Sequence, residues 1–306
     1  MKIRIGTRKS KLALIQTEIV IGKIKEYFPE IACIIVPMVT TGDKITDRNL
    51  YDIGGKALFL KELEEQLLLN QIDIAVHSLK DVPGNLPSGL EIVAVLERED
   101  PRDCFISHKY KSIHEMPRGA IIGSSSVRRK ILIHRFRPDI NIIQFRGNIE
   151  TRLEKLRNNE VDATVLACVG LNRTQLLNAD YCFPVEVFDM LPAAGQGTIG
   201  IEIKSDNKFA RDICEKINHD ETWVTAKLER DFLSNLDASC RTPMSAYVRI
   251  ESGIVTADFM LSNIDGSQIE YLKCRVPVEK SSQVGIESAE KLKKLFKNYE
   301  RDVLGL

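Results

Sequence analysis

Ser78-Leu-Lys-Asp81 sets a hydroxyl, a cation and a carboxylate at the end of the apolar run 72–76. A short run of that kind suits a strand covered on both faces. Pro83 stops regular structure, and Val82 before it is pushed towards extended backbone. In α/β folds, ligands bind at the C-terminal ends of strands. A solvated turn with a local ion pair is the plain alternative, so the other cations decide. Arg8, Lys56, Arg128, Arg129, Arg146, Arg152 and Arg173 fall, like Lys80, where loops meet helices. Helix N-termini with serines are ready anion sites, and arginine forks take carboxylate or phosphate by two bonds at once. Spread over both halves of the chain at strand ends, these groups point to one cleft lined with positive charge. The competing picture is unrelated surface arginines, each satisfied by a local carboxylate. Within a cationic cleft Asp81 is an acid held in its ionised form. It can then stabilise a cationic intermediate or move a proton.

Cys240 is the second chemical candidate. The other cysteines lie in or beside apolar strand and helix text and read as small core residues. Cys240 sits among Ala, Ser, Arg and Thr in a loop after a helix. The seven cysteines are odd in number and lack Cys-x-x-Cys spacing, which argues for reduced thiols and a cytoplasmic protein. The five dispersed histidines form no i, i+4 pair, so no metal site is expected.

The elements that must position these groups follow the chain. Its 306 residues suit two or three domains, and the 43 basic and 43 acidic side chains cancel, without the basic excess of a nucleic-acid binder. Residues 1–20 carry no signal-type apolar core, and no apolar run is long enough for a bilayer, so no membrane partner is expected. Strands are predicted at 2–5, 31–39, 72–76, 90–96, 120–122, 140–145, 161–167 and 198–203. Helices are predicted after Ser10, a good N-cap, and at 57–69, after the turn 123–130 and up to 157. Residues 40–56 form a long polar loop, the kind that acts as a lid or as a plain surface excursion.

An internal echo organises this part. Ile5-Gly-Thr-Arg-Lys-Ser-Lys resembles Ile122-Gly-Ser-Ser-Ser-Val-Arg-Arg-Lys, and Ile72-Asp-Ile-Ala-Val resembles Val161-Asp-Ala-Thr-Val. Two matched α/β lobes are expected, with crossings near 97–101 and 193–197. The expected domains are 1–97 with 198–217, then 102–193, then a smaller α+β domain at 218–306. That last domain has a helix at 220–236, strands at 246–250, 255–261 and 268–275, a hairpin turn at Asp265-Gly266 and a final helix from 281 to near 299.

Seven blocks, in this order and spacing, resemble the porphobilinogen deaminase (hydroxymethylbilane synthase) family from end to end. They are Thr7-Arg-Lys-Ser-Lys-Leu-Ala-Leu14, Gly54-Gly-Lys-Ala-Leu-Phe59, Asp73-Ile-Ala-Val-His-Ser-Leu-Lys-Asp-Val-Pro83, Arg98-Glu-Asp-Pro-Arg-Asp103, Gly123-Ser-Ser-Ser-Val-Arg-Arg129, Arg146-Gly-Asn-Ile-Glu-Thr-Arg152 and Gly195-Gln-Gly197. The resemblance implies an α/β fold of two periplasmic-binding-protein-like lobes plus a smaller C-terminal α+β domain. It implies a transferase of porphyrin and haem biosynthesis, typically monomeric. Such an enzyme condenses four porphobilinogens, each losing ammonia, into the linear tetrapyrrole hydroxymethylbilane.

The resemblance also implies a dipyrromethane cofactor tied by a thioether to Cys240. It gives Asp81 the central catalytic role, holding pyrrole N–H groups and stabilising positive charge on azafulvene-like intermediates. It assigns Arg8, Ser10, Lys80, Ser126, Arg128, Arg129, Arg146, Arg152 and Arg173 to the acetate and propionate groups of cofactor and growing chain, and Lys56 to a mobile active-site cover. One departure stands out: Ala238-Ser239 replaces the family's usual Gly-Gly before the cysteine. Glycines permit positive φ, so a slightly different turn is expected there. A non-catalytic, two-lobed binder of a carboxylated ligand is the alternative. It explains lobes and cations but not the third domain or the loop cysteine.

Overall fold

The structure, a computed structural model, describes residues 1–40, 60–237 and 242–305. Strands β1 (Lys2–Arg8), β2 (Ala32–Met38), β3 (Ile74–Ser78), β4 (Leu90–Val95) and β10 (Ile199–Lys204) form one sheet, ordered β2-β1-β3-β10-β4. Strands β5 (Asp103–Ile106), β6 (Ile121–Gly123), β7 (Asn141–Ile143), β8 (Ala163–Ala167) and β9 (Cys182–Pro184) form a second, ordered β7-β6-β8-β5-β9. The two share one topology. In the first, β1 runs parallel to β2 and β3 while β10 is antiparallel to β3 and β4. In the second, β6 runs parallel to β7 and β8 while β5 is antiparallel to β8 and β9. Each antiparallel strand is the first that the chain forms after crossing into that lobe.

The sequence echo is a repeated hydrogen-bond pair. The Asp73 carboxylate accepts the Arg4 backbone N–H at 2.7 Å, and the Asp73 N–H donates to the Arg4 carbonyl at 2.9 Å. Asp162 does the same with Ile121, at 2.9 Å each way. Both aspartates enter a central parallel strand, β3 and β8, and fix its register on the preceding one: Ile5 faces Ile74, and Ile122 faces Ala163.

Helices α1 (Lys11–Tyr27), α2 (Lys61–Leu68) and α6 (Lys208–Lys216) belong to the first lobe, and α3 (Val127–Phe136), α4 (Ile149–Arg157) and α5 (Cys168–Arg173) to the second. Four of them start on side-chain caps at strand exits, α6 on Asn207, which accepts from the Ala210 N–H at 3.0 Å. Ser10 accepts from the Ala13 N–H at 3.3 Å, Ser126 from Arg129 at 3.4 Å, and Asn148 from Thr151 at 2.8 Å. Each such cap is worth about 1 kcal/mol and fixes where the helix begins. Ile3, Ile5, Val20, Ile24, Ile74 and Ile201 fill the first lobe's core. Phe105, Ile122, Leu132 and Val165 fill the second.

The third unit is an antiparallel meander, β11 (Met244–Glu251), β12 (Ile254–Ser262) and β13 (Ile269–Pro277), packed on α7 (Asp220–Asn235) and α8 (Val284–Lys293). Phe232 of α7 stacks on Phe259 of β12 with centroids 4.4 Å apart. Gly266, at φ +77°, closes the expected hairpin turn.

Four details differ from expectation. Strand β1 continues to Arg8, because Thr7 and Arg8 pair with Pro37 and Met38. Strands β5 and β9 are too short, and too interrupted by a charge or a proline, to show in the hydrophobic pattern. Of the predicted helix 57–69, the described part is α2. The final helix ends at Lys293 because, after the Lys294 N–H closes the last helical bond, the Leu295 and Phe296 N–H groups bond three residues back, tightening the turn and burying Phe296.

Candidate active site

The cleft chemistry begins where β3 ends. Ser78 accepts from the Gln16 Nε2 of α1 at 2.8 Å, and the chain then makes a single 3-10 turn, Leu79–Asp81. Leu79 is buried, its N–H bonded to the Thr198 carbonyl at 3.0 Å. That anchor leaves Lys80 and Asp81 as half-buried side chains on the turn.

The second lobe answers with a buried ionic cluster. Arg128 and Arg129, at the first turn of α3, both point at Asp103, the first residue of β5. Arg128 Nη2 meets Oδ2 at 2.7 Å; Arg129 Nη2 meets Oδ1 at 2.7 Å, with Nε at 3.2 Å. The same guanidiniums donate to the Leu191 and Val165 carbonyls at 2.7 and 2.8 Å. All three residues are less than a tenth exposed. Burial pushes the Asp103 carboxyl up, but the two arginines hold it well below the ordinary carboxylate range. Two cations on one anion leave the cluster with a net positive charge.

Gln196, on the return crossing, joins the two halves. Its Nε2 donates to the Pro101 carbonyl at 2.6 Å and to Asp103 Oδ1 at 3.1 Å, and its Oε1 accepts from Lys80 Nζ at 3.4 Å. Burial lowers the Lys80 ammonium to about 8, against the pull of Asp81 and Asp103 and with the push of Arg129 and Arg128. Arg152 of α4 donates to the Gly147 carbonyl at 2.9 Å. Burial first, then Arg129 and Arg146, bring it down to about 10. Cations that lower one another in this way attract an anion strongly.

The predicted residues therefore divide. Asp81, Lys80, Arg128, Arg129, Arg146 and Arg152 share one electrostatic neighbourhood drawn from both lobes. Arg8 and Ser10 stand at the exit of β1 and the cap of α1. Ser126 caps α3 beside the cluster. Arg173 pairs with Glu99 at 2.7 Å and donates to the Gly197 carbonyl at 3.0 Å, tying α5 to both crossings. Lys56 and Cys240 lie outside the described residues. Two surface cavities of about 390 Å³ each lie by β4, α6 and α7 around Trp223, and among the described residues no predicted site residue lines either.

Sequence reasoning missed Asp103 and Gln196. Both lie inside blocks read as crossings, Arg98–Asp103 and Leu191–Gly197. The available signal was a second acid and an amide in otherwise hinge-like text. Asp81 is therefore not alone as an acid among the cations.

The family model described as porphobilinogen deaminase, dipyromethane cofactor binding domain, matches residues 3–212. The model for the porphobilinogen deaminase C-terminal domain matches residues 223–294. The chain belongs to the porphobilinogen deaminase family. It is 53% identical over 289 residues to the porphobilinogen deaminase of Rickettsia bellii strain OSU 85-389, covering 94% of this chain and 96% of that one. It is 52% identical over 289 residues to that of Rickettsia canadensis strain McKiel, with the same coverage. It is thus a transferase of tetrapyrrole biosynthesis, a hydroxymethylbilane synthase, whose first two lobes form the dipyrromethane-cofactor-binding domain. The donor set fits that cofactor. Each pyrrole unit carries two carboxylates, and Lys80, Arg128, Arg129, Arg146 and Arg152 supply cations from both sides of the cleft. No helix among the described residues is long and apolar enough to cross a membrane.

Proposed function

We propose that this chain condenses four porphobilinogen molecules stepwise, releasing ammonia each time, into hydroxymethylbilane, starting from a dipyrromethane primer bound through a thioether to Cys240. The observation that carries the reading is the convergence of Lys80 from one lobe and the Arg128–Arg129 pair from the other, with Asp81 beside Lys80. A growing oligopyrrole is a polyanion, and a cleft with surplus positive charge from two lobes suits it.

The bound primer would supply the pyrrole carbon to which the first new unit attaches. The chain does the rest. Lys80, Arg129 and Arg152 take acetate and propionate groups, with Arg8, Ser10, Arg128, Arg146, Ser126 and Arg173 in the same service. Asp81 accepts pyrrole N–H groups and faces the positive charge that develops as porphobilinogen loses ammonia, lowering the barrier electrostatically. Lys56 belongs to the segment that covers the site. The domains are 1–97 with 198–217, 102–193 and 218–306, a division supported by the two sheets and the meander. The reading includes a monomer working in the cytoplasm, without nucleic-acid or membrane partners.

The test is colour. Purified protein is incubated with porphobilinogen, then acidified and oxidised. Porphyrin absorbance is expected; its absence from protein that carries a two-pyrrole mass increment rejects the reading in favour of a binding protein.

A further inference from the structure

Lys80 is half-buried, and of the charges around it Arg128 and Arg129 repel it while Asp81 and Asp103 attract it. A cation in that position needs an acceptor that steadies it without cancelling its charge. Gln196 has the required chemistry. It is 1% exposed and lies between Gly195 at φ +72° and Gly197 at φ +95°. A Cβ at 195 would sit 2.9 Å from Leu79, and one at 197 would sit 2.5 Å from the Glu99 carbonyl oxygen. Only a glycine-flanked backbone can therefore bring this side chain between the 3-10 turn and the outgoing crossing.

The direction of the amide is fixed by what it touches. Both Nε2 hydrogens are used, on Pro101 O at 2.6 Å and Asp103 Oδ1 at 3.1 Å. A flipped amide would set Oε1 against two oxygens and its N–H groups against an ammonium. Oε1 must therefore face Lys80 Nζ, as it does at 3.4 Å. Asp103, kept ionised by Arg128 and Arg129, orients the amide from the second lobe. The amide in turn steadies a cation on the first.

We infer that Gln196 is a positioning residue for Lys80, holding the ammonium towards the substrate's carboxylates with a neutral acceptor so that its full charge stays available to them. This rests on the reading of Lys80 as a carboxylate clamp. A carboxylate at position 196 would neutralise the ammonium, and an apolar side chain would let it swing away and lose its proton more readily.

The test is a double-mutant cycle of Gln196→Met and Lys80→Gln, each as holoenzyme in steady-state turnover of porphobilinogen. Loss of one hydrogen bond to a charged group predicts that Gln196→Met raises KM about tenfold while kcat stays within about threefold. The alkaline limb of kcat/KM should move down. In the Lys80→Gln background Gln196→Met should change KM no further. Additive effects on KM, or a folded Gln196→Met holoenzyme with KM and pH limb unchanged, overturn the inference while leaving the Lys80 reading intact. Unchanged KM in Lys80→Gln alone overturns both. Where Gln196→Met yields no holoenzyme, Gln196→Glu keeps the size. It should raise KM and move the alkaline limb up, and a KM and limb like those of the parent overturn the inference.

Discussion

Glu229 grips Arg98 in a two-pronged ion pair, Nη1 to Oε1 at 2.7 Å and Nη2 to Oε2 at 2.9 Å. Arg98 lies on the outgoing crossing and Glu229 on α7 of the third domain. The same carboxylate accepts the Gly195 N–H of the return crossing and the Val248 N–H of β11, both at 2.7 Å. One fully buried carboxylate thus fastens both inter-lobe crossings to the domain that carries Cys240. Removing it leaves a largely buried guanidinium without its counter-ion and two N–H groups without their acceptor. We expect Glu229→Ala to cost about 3–5 kcal/mol, read as a lower denaturation midpoint. Protease sensitivity should rise at the crossings near residues 98–102 and 191–197 rather than evenly along the chain.

Asp103 holds two buried arginines together, and Asp103→Asn leaves them facing each other. The expected loss is again about 3–5 kcal/mol at pH 7. Its pH dependence has a definite sign. The folded-state pKa of Asp103 is depressed, so its contribution is complete above the unfolded value near 3.9 and fades as pH falls below it. The stability gap between parent and variant should therefore shrink, by about 1 kcal/mol between pH 7 and pH 3. A gap that widens on acidification contradicts the assignment.

Lys80 is expected to set an alkaline limit on substrate capture. Its ammonium titrates at about 8 because burial outweighs its anionic neighbours. KM for porphobilinogen should rise above pH 8 while kcat changes less. Lys80→Arg keeps a cation at high pH and should flatten that rise. Steady-state kinetics from pH 6.5 to about 9.5, bracketing the ordinary lysine range from below, reads both effects.

Glu64 of α2 predicts a stability effect of opposite sign to that of Asp103. Burial first, then Glu202, raises its carboxyl to about 7, with His77 pulling the other way. Among the described residues Glu64 Oε1 has no hydrogen-bond partner, while His77 and Glu202 bond each other at 2.9 Å. A raised carboxyl costs nothing while both folded and unfolded chains keep the proton, and costs most above pH 7, where the folded chain must ionise it. Glu64→Gln should raise the melting temperature at pH 8, by roughly 1–3 kcal/mol of stability, and change it little at pH 4.5.

Much of this was legible in the sequence because the chain repeats itself. The Ile-Gly echo and the Ile72-Asp and Val161-Asp pair mark the two central parallel strands of each lobe, and Asp73 and Asp162 make the same bond in both. Ser10 announced a helix start by type and place. What could not be read was the strand inserted between β8 and β9 in the second sheet. Strand β5 joins its sheet antiparallel through four residues, too few to show a period, and its first residue is the charge that organises Arg128 and Arg129. A local pattern reports which residues are loop-like. It does not report that Asp103 and Gln196, 93 positions apart, meet at 3.1 Å. Arg173 shows the same limit, since its ion pair with Glu99 joins the second lobe to a crossing 74 positions earlier.

The central claim is that Asp81 acts by its charge, next to Lys80 and within a cleft of cations. Asp81→Asn keeps the size of the side chain and one acceptor oxygen, while it removes the charge and puts an N–H donor in place of the second oxygen. The decisive measurement is hydroxymethylbilane production by purified Asp81→Asn protein whose intact mass carries the same two-pyrrole increment as the parent. A loss of at least about a hundredfold in turnover, with folding and cofactor intact, is the predicted result. Near-parental turnover would contradict the account.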